Sequence, residues 1–115
     1  MMHELSLVNE LLDIVNQYEQ TYHFEKVKSL KLLFGRLSSI DPGALQFAFD
    51  VQSRGTKAQD ATLIFDIRPV VIRCLTCNQE SVIERYPAPC PECLSDTVIL
   101  TGGTESLRFL EMDVD

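Results

Sequence analysis

Residues 74–93 read CLTCNQESVIERYPAPCPEC and contain all four cysteines of the chain, Cys74, Cys77, Cys90 and Cys93. Two Cys-x-x-Cys pairs can place four thiolates around one tetrahedral ion, because each short spacing curls the backbone around the metal. A segment this small buries too little apolar surface to fold alone, so metal binding has to supply much of its folding free energy. The spacing therefore predicts a small metal-binding module, with zinc as the favoured ion.

Other uses of paired cysteines fit this chain less well. Disulfide bonds belong to oxidising compartments, and the first residues lack the basic segment of a secretory signal. A thioredoxin-like redox site needs one pair at the start of a helix, whereas both pairs here lie among turn residues. Iron in a rubredoxin-like site stays open as an alternative, since four thiolates accept either metal. A four-thiolate shell has no open position for water or substrate, so we expect a structural Zn²⁺.

The composition describes an ordinary globular protein. The 115 residues are 45% hydrophobic and 23% charged, which fits one domain or one domain with a small added module. A net charge of -7 argues against nucleic-acid binding, which uses Lys and Arg to neutralise phosphates. No apolar run approaches the roughly 18–20 residues that span a bilayer. We therefore expect a cytoplasmic protein that is not inserted in a membrane.

Hydrophobic spacing predicts two helices and three long strands outside the cysteine module. Apolar residues at helical spacing indicate an amphipathic first helix, and Asp41-Pro42 is a typical N-cap and N1 pair for the second. Alternation places Leu30, Leu32 and Phe34 on one face of the first strand. It turns Leu63, Phe65 and Ile67 of the second strand towards the core. The predicted bounds are Leu5–Gln20, Lys28–Phe34, Pro42–Ser53 ending at Gly55, Thr62–Pro69 and Arg108–Val114.

These elements define an α+β fold class. We expect a small mixed three-stranded sheet covered by two helices, with the four-cysteine zinc ribbon inserted before the last strand. The predicted α/β domain consists of residues 1–69 and 104–115, and the predicted ribbon domain of residues 70–103.

Several short motifs occur along the chain in a characteristic order. Met2-His3-Glu4-Leu5-Ser6-Leu7 begins it, Gly35-Arg36-Leu37-Ser38 follows the first strand, and the cysteine pairs come after. With these motifs the chain resembles the HypA/HybF family, which are nickel-insertion accessory proteins for the maturation of NiFe-hydrogenase. Further residues that fit the resemblance are Pro42, Phe47, Phe49, Gly55-Thr56, Pro69, Pro91, Glu105 and Leu107.

The resemblance implies a nickel metallochaperone with two metal sites. The ribbon would hold structural zinc, while the α/β domain would carry Ni²⁺ as cargo at its N-terminus. Family members use the Met-His-Glu start for nickel, which corresponds here to His3 with Glu4 beside it. Ni(II) favours square-planar nitrogen ligands, and the imidazole, the backbone amides and the terminal amine can provide four. The acidic first helix would attract the cation, although a helix N-terminus itself repels positive charge.

The chain departs from the family pattern at its first residue, because an additional Met1 precedes Met2. If Met1 is retained, the amine lies two residues before His3 and gives the chelating arrangement amine-x-x-His. If the chain starts at Met2, the family's amine-x-His arrangement is restored. Either arrangement can chelate nickel, with a different affinity and geometry.

The same resemblance implies a hydrogenase-maturation GTPase and the NiFe-hydrogenase large-subunit precursor as partners. No nucleotide-binding loop or Ser-His-Asp pattern is present in the sequence, so we expect a protein that is not an enzyme. His23 reads as an exposed loop histidine and Asp41 as a helix cap. The alternative function is a zinc-ribbon interaction module without a nickel role.

Overall fold

The computed structural model describes residues 3–115, apart from the side chain of His3. Over this range the chain forms two helices and six strands. The strands make two three-stranded sheets, ordered β2-β1-β6 and β4-β3-β5, so the predicted α+β class is confirmed. The elements are α1 (His3–Tyr22), β1 (Val27–Gly35), α2 (Pro42–Gln52), β2 (Thr62–Arg68), β3 (Val70–Cys74), β4 (Glu80–Ile83), β5 (Val98–Gly102) and β6 (Arg108–Val114).

Helix α1 is an amphipathic helix that is slightly longer than predicted. Its buried stripe is formed by Val8, Leu11 and Val15, which follow helical spacing. The helix ends at Tyr22 and is followed by His23, whose φ of 52° is left-handed and whose N–H donates to the Glu19 carbonyl at 2.8 Å. This is a typical helix end, and it leaves the imidazole exposed, as predicted.

Helix α2 begins and ends where its capping residues indicate. Asp41 Oδ1 accepts hydrogen bonds from the N–H groups of Gly43 and Ala44, at 3.0 and 3.3 Å. Pro42 occupies the first helical position, and Ser53 forms the C-cap. Leu45 and Phe49 are buried, and the two helices pack against each other.

Strand β1 is the central strand of the first sheet. Leu30, Leu32 and Phe34 are buried as predicted, but Leu33 is buried as well, at 3% exposure. The end of β1 is therefore enclosed on both faces, which strict alternation does not predict. The prediction that Ile67 of β2 faces the core is wrong, since it is 42% exposed. Strand β2 is an edge strand whose last residues run beyond the core, whereas Leu63 near its start is buried.

The sequence pattern does not predict the individual strands of the second sheet. Strand β3 pairs antiparallel with β4 and with β5, and a bulge interrupts the latter register between Val71 and Ile72. Val70 and Ile72 are buried on one face, and Cys74 ends the strand on that same face. The first cysteine thus has a regular strand behind it.

Two compact units divide the chain. One contains the residues up to Leu32 together with 40–66 and 108–115, and the other contains 33–39 and 67–107. The predicted ribbon range lies within the second unit, while the assignment of a separate metal to each domain stays a prediction. In the described residues we find no helix long and apolar enough to cross a bilayer.

Candidate metal centre

The four cysteine sulfurs form one cluster in the second unit. Their Sγ atoms all lie within 4.8 Å of one another. Cys74 and Cys93 Sγ are 3.5 Å apart, and Cys77 and Cys90 Sγ are 3.7 Å apart. A tetrahedral ion with Zn–S bonds of about 2.3 Å requires edges of roughly 3.8 Å between its sulfurs. Two of the six sulfur–sulfur distances are close to such an edge, and the cluster is compact enough for its four side chains to hold a single zinc-sized ion.

The two Cys-x-x-Cys knuckles repeat the same backbone conformation. The residues that follow them, Asn78 and Leu94, both have left-handed φ values, of 63° and 66°. Their N–H groups donate to the carbonyls of Cys74 and Cys90, at 2.9 and 2.8 Å. A leucine rarely adopts this conformation, so the fold of the second knuckle outweighs the local preference of Leu94.

Backbone amides point at the sulfurs, as a thiolate centre requires. Cys74 Sγ accepts from the N–H groups of Thr76 at 3.3 Å and Cys77 at 3.4 Å. The hydrogen bond from Cys77, with that from Thr76, lowers the pKa of Cys74 to about 6 despite its burial. For Cys77 a backbone hydrogen bond involving Gln79 acts to lower the pKa, but burial and the neighbouring cysteines raise it to about 12. Amide hydrogen bonds thus favour the thiolate of Cys74, whereas burial and the other sulfurs oppose it at Cys77, and a bound cation would favour the thiolate form of both.

Exposure differs between the four ligands. Cys74 and Cys90 are buried, Cys77 is half-buried and Cys93 is exposed. One edge of the cluster therefore faces solvent, although the donor set leaves no coordination position open. Soft thiolates in this number suit zinc or iron and do not suit a catalytic water. A closed set of four thiolates is the donor set typical of structural metal sites.

The predicted nickel ligands lie at the boundary of the described structure. Met1, Met2 and the side chain of His3 are outside it, and the backbone of His3 begins α1. Glu4 lies in the first turn of the helix and is half-buried. In the part of the chain that the structure describes, the four cysteines are the only cluster of three or more His, Cys, Asp or Glu ligands. Asp41 is accounted for by its capping bonds.

One polar contact beside the cluster could not be predicted from the sequence pattern. The hydroxyl oxygens of Thr76 and Ser95 lie 2.9 Å apart and join the first knuckle to the residues after the second. Hydroxyl side chains are common in turns, and nothing in the spacing of these two residues indicates that they meet.

The fold and the cluster define a class of small α+β proteins that carry a four-thiolate metal module. Within that class, the family model for hydrogenase/urease nickel incorporation, the metallochaperone HypA, matches residues 2–113. The chain belongs to the HypA family. This is a family of metallochaperones and maturation factors rather than enzymes, and the resemblance stated from the sequence is confirmed.

Individual relatives match over nearly the whole chain. The chain is 51% identical over 114 residues to the hydrogenase maturation factor HypA of Syntrophus aciditrophicus, covering 99% of this chain and 100% of that protein. It is 36% identical to HypA of Aquifex aeolicus over 99% of this chain and 100% of that one. The solution structure of a HypA protein has a TM-score of 0.68 at 24% identity, covering 99% and 97% of the two chains. The nickel metallochaperone HypA of Helicobacter pylori gives 0.60 at 23% identity over 96% of each, and both structures support the fold alone.

Proposed function

We propose that this protein binds Ni²⁺ at its N-terminus and helps to insert it into the large-subunit precursor of a NiFe-hydrogenase, working with a maturation GTPase in the cytoplasm. The observation that carries the proposal is the match of the nickel-incorporation family model over residues 2–113, a range that includes His3. In this proposal the four cysteines hold a structural Zn²⁺, and the cargo metal binds elsewhere.

The chemistry of the cysteine cluster supports this division between two metals. A closed shell of four thiolates holds its ion tightly and offers no position through which a cargo ion can be passed on. A carrier needs a more open set of ligands. The imidazole of His3, the backbone amides and the terminal amine of Met1 or Met2 form such a set, and they suit the square-planar preference of Ni(II).

Charge near the start of α1 also bears on the proposed site. The helix carries Glu4 in its first turn and Glu10 and Asp13 on its exposed side, and it contains no Lys or Arg. These carboxylates attract a dication over several ångströms, whereas the helix N-terminus carries positive partial charge. The two effects oppose each other, and we expect a moderate affinity, which suits a carrier that must release its cargo.

A comparison of the two histidines of the chain tests the site. We expect His3→Ala to abolish Ni(II) binding in titration calorimetry, while the zinc content by mass spectrometry stays near one ion per chain. His23→Asn is the matched control, since it removes the other imidazole at an exposed position and keeps a residue that tolerates a φ of 52°. Unchanged nickel affinity in His3→Ala, or its loss in His23→Asn, would show that the site is wrongly assigned.

The length of the N-terminus gives a second test of the same site. Protein beginning at Met1 and protein beginning at Met2 place the terminal amine at different distances from His3. We expect both to bind nickel, with different absorption spectra, because the amine closes chelate rings of different size. Identical spectra and affinities would mean that the amine is not a ligand.

The proposed partners are tested by nickel transfer. We expect nickel-loaded protein to deliver its metal to the purified large-subunit precursor faster in the presence of the GTPase and GTP, and His3→Ala protein to deliver none. Wild-type protein that binds nickel no better than magnesium would favour the alternative, in which the ribbon serves only as an interaction module.

A further inference from the structure

Two hydroxyl groups connect the knuckles of the cysteine cluster. Thr76 lies between Cys74 and Cys77, and Ser95 follows the second knuckle. Their oxygens are 2.9 Å apart, close enough for a good hydrogen bond in which either residue can donate. This contact joins side chains across the cluster, whereas the amide-to-sulfur bonds described above each stay within one knuckle.

Both residues also contact the ligands through their backbones. The N–H of Thr76 donates to Cys74 Sγ at 3.3 Å. The carbonyl of Ser95 accepts from the N–H of Cys90 at 2.9 Å, and its backbone also hydrogen-bonds the sulfur of Cys93. A backbone shift that separates the two hydroxyls would therefore also displace groups that contact the cysteine ligands.

The position of the hydroxyl pair coincides with the exposed edge of the cluster. Cys93 is the exposed ligand, and its sulfur lies 3.5 Å from that of the buried Cys74. Ser95 is two residues beyond Cys93, and its Oγ also accepts from the N–H of Thr97 at 3.1 Å. The segment that carries the most accessible ligand is thus anchored to the first knuckle through Ser95.

We propose that Thr76 and Ser95 act as an outer clamp that keeps the two knuckles together and sets the rate at which the four-cysteine site gives up its metal. Both are positioning residues, since neither side chain is itself a ligand. The inference rests on the proposed zinc occupancy of the cluster and is independent of the nickel site.

The clamp acts on ligand exchange. If zinc occupies the cluster, a competing chelator would remove it faster when the exposed Cys93 sulfur leaves the metal more readily. In the proposed clamp, outward movement of residues 93–95 accompanies loss of this sulfur, and the Thr76–Ser95 hydrogen bond resists that movement. One hydrogen bond corresponds to about a 3- to 10-fold change in such an equilibrium, near the lower end of the roughly 10–100-fold effects of outer-shell partners in metal sites.

Zinc transfer from the full chain to a chromogenic chelator in excess measures this rate. We expect Thr76→Val and Ser95→Ala to release zinc about 3- to 10-fold faster than wild type. Thr97→Val is the matched control, because the same change of hydroxyl to methyl falls two residues from Ser95 and leaves the backbone contacts of Thr97 in place. Thr76→Ser restores a hydroxyl and should restore slow release.

A double-mutant cycle separates the clamp from unrelated effects of each change. If the two hydroxyls act through each other, the variant with both substitutions should release zinc no faster than the more affected single variant. The thiolate-to-metal charge-transfer bands of Co(II)-loaded protein should keep the same positions and intensity in every variant, since the four ligands are unchanged.

Several results would overturn the clamp. Wild-type release rates in Thr76→Val and Ser95→Ala protein would do so, as would strictly additive effects or an equal acceleration by Thr97→Val. A wild-type chain purified without zinc would remove the basis of the clamp and of the proposed structural zinc together, while nickel binding by His3 could still be measured. Loss of the Co(II) bands in Thr76→Val would show that Thr76 is needed for the four-cysteine site to form, and not only for it to retain its metal.

Discussion

Gly35 packs directly against the backbone of residues 103–105 within the second unit. A β-carbon added to it would lie 2.3 Å from both the carbonyl carbon and oxygen of Gly103 and 2.6 Å from the nitrogen of Glu105. All three are backbone atoms, so no side chain can turn aside to make room. Carbon atoms in contact prefer separations of about 3.5–4.0 Å, and Gly35→Ala must therefore move one segment away from another by roughly an ångström.

That displacement has a definite energetic consequence. The Gly35 N–H donates to the Glu105 carbonyl at 2.8 Å, and the Leu37 N–H donates to the Gly103 carbonyl at 2.7 Å. Both bonds hold the same two segments together, so both are lengthened or lost, at about 0.5–1.5 kcal/mol each. Overpacking of a closely packed site adds about 1–3 kcal/mol. We expect Gly35→Ala to destabilise the zinc-loaded protein by about 2–6 kcal/mol, a large share of the roughly 5–15 kcal/mol typical of a domain.

Two other glycines provide controls with the same chemical change. At Gly43, in the first turn of α2, a β-carbon meets only Asp41 Oδ1 at 3.5 Å, and Gly43→Ala should stabilise by about 0.4–1 kcal/mol. At Gly55 the space is open but φ is +79°, so Gly55→Ala should cost about 1–2 kcal/mol through backbone strain. Urea denaturation followed by circular dichroism measures all three. A Gly35→Ala protein within about 1 kcal/mol of wild type, or less affected than Gly55→Ala, would refute the reasoning.

Three further outcomes follow from named contacts. Asp41→Ala should lower stability by about 1 kcal/mol through loss of the N-cap, measurable by thermal denaturation. Lys57 Nζ lies 2.7 Å from Glu19 Oε2, and this hydrogen bond lowers the pKa of the Glu19 carboxyl below its ordinary value of 4.5. The pair therefore stabilises the fold above pH 4.5, and this stabilisation is lost as the pH falls through the lowered pKa. In an NMR titration, Lys57→Met should raise the pKa of Glu19, whereas removal of the exposed Lys31, 3.8 Å from Glu111, should leave it unchanged. Stripping zinc under reducing conditions should abolish amide-exchange protection over 74–97 and leave both helices protected.

Local signals in the sequence were sufficient to predict the two helices and the clustering of the four cysteines. Asp41 and Pro42 predict the start of α2 because capping depends on groups within three residues of each other. The four cysteines predict their own cluster because the chemistry of zinc thiolates fixes both the residue type and the spacing. In both cases the interacting groups are only two or three residues apart within each motif, so the sequence pattern shows them directly.

Features that depend on distant segments were missed or wrong. Alternation gives the face on which Ile67 lies but not where the core ends, and the core ends before it. Leu33 is buried because the end of β1 is covered on both faces, which depends on segments distant in sequence. The hydrogen bond between Thr76 and Ser95 arises only once the two knuckles face each other. Each of these is set by tertiary arrangement rather than by neighbours in sequence.

The packing around Gly35 gives a structural reason for one of the motifs on which the family resemblance is based. Gly35-Arg36-Leu37-Ser38 was one of its motifs, and the structure gives its first three residues backbone roles. Gly35 lies against Gly103, the Arg36 N–H donates to the Arg68 carbonyl at 2.9 Å, and the Leu37 N–H donates to the Gly103 carbonyl. This motif is thus explained by the joining of chain segments and carries no metal chemistry. The cysteine pairs are explained by their own closed cluster in the same way. Met2 and the side chain of His3 lie outside the described residues, so the nickel role proposed for Met2-His3-Glu4 rests on the family match.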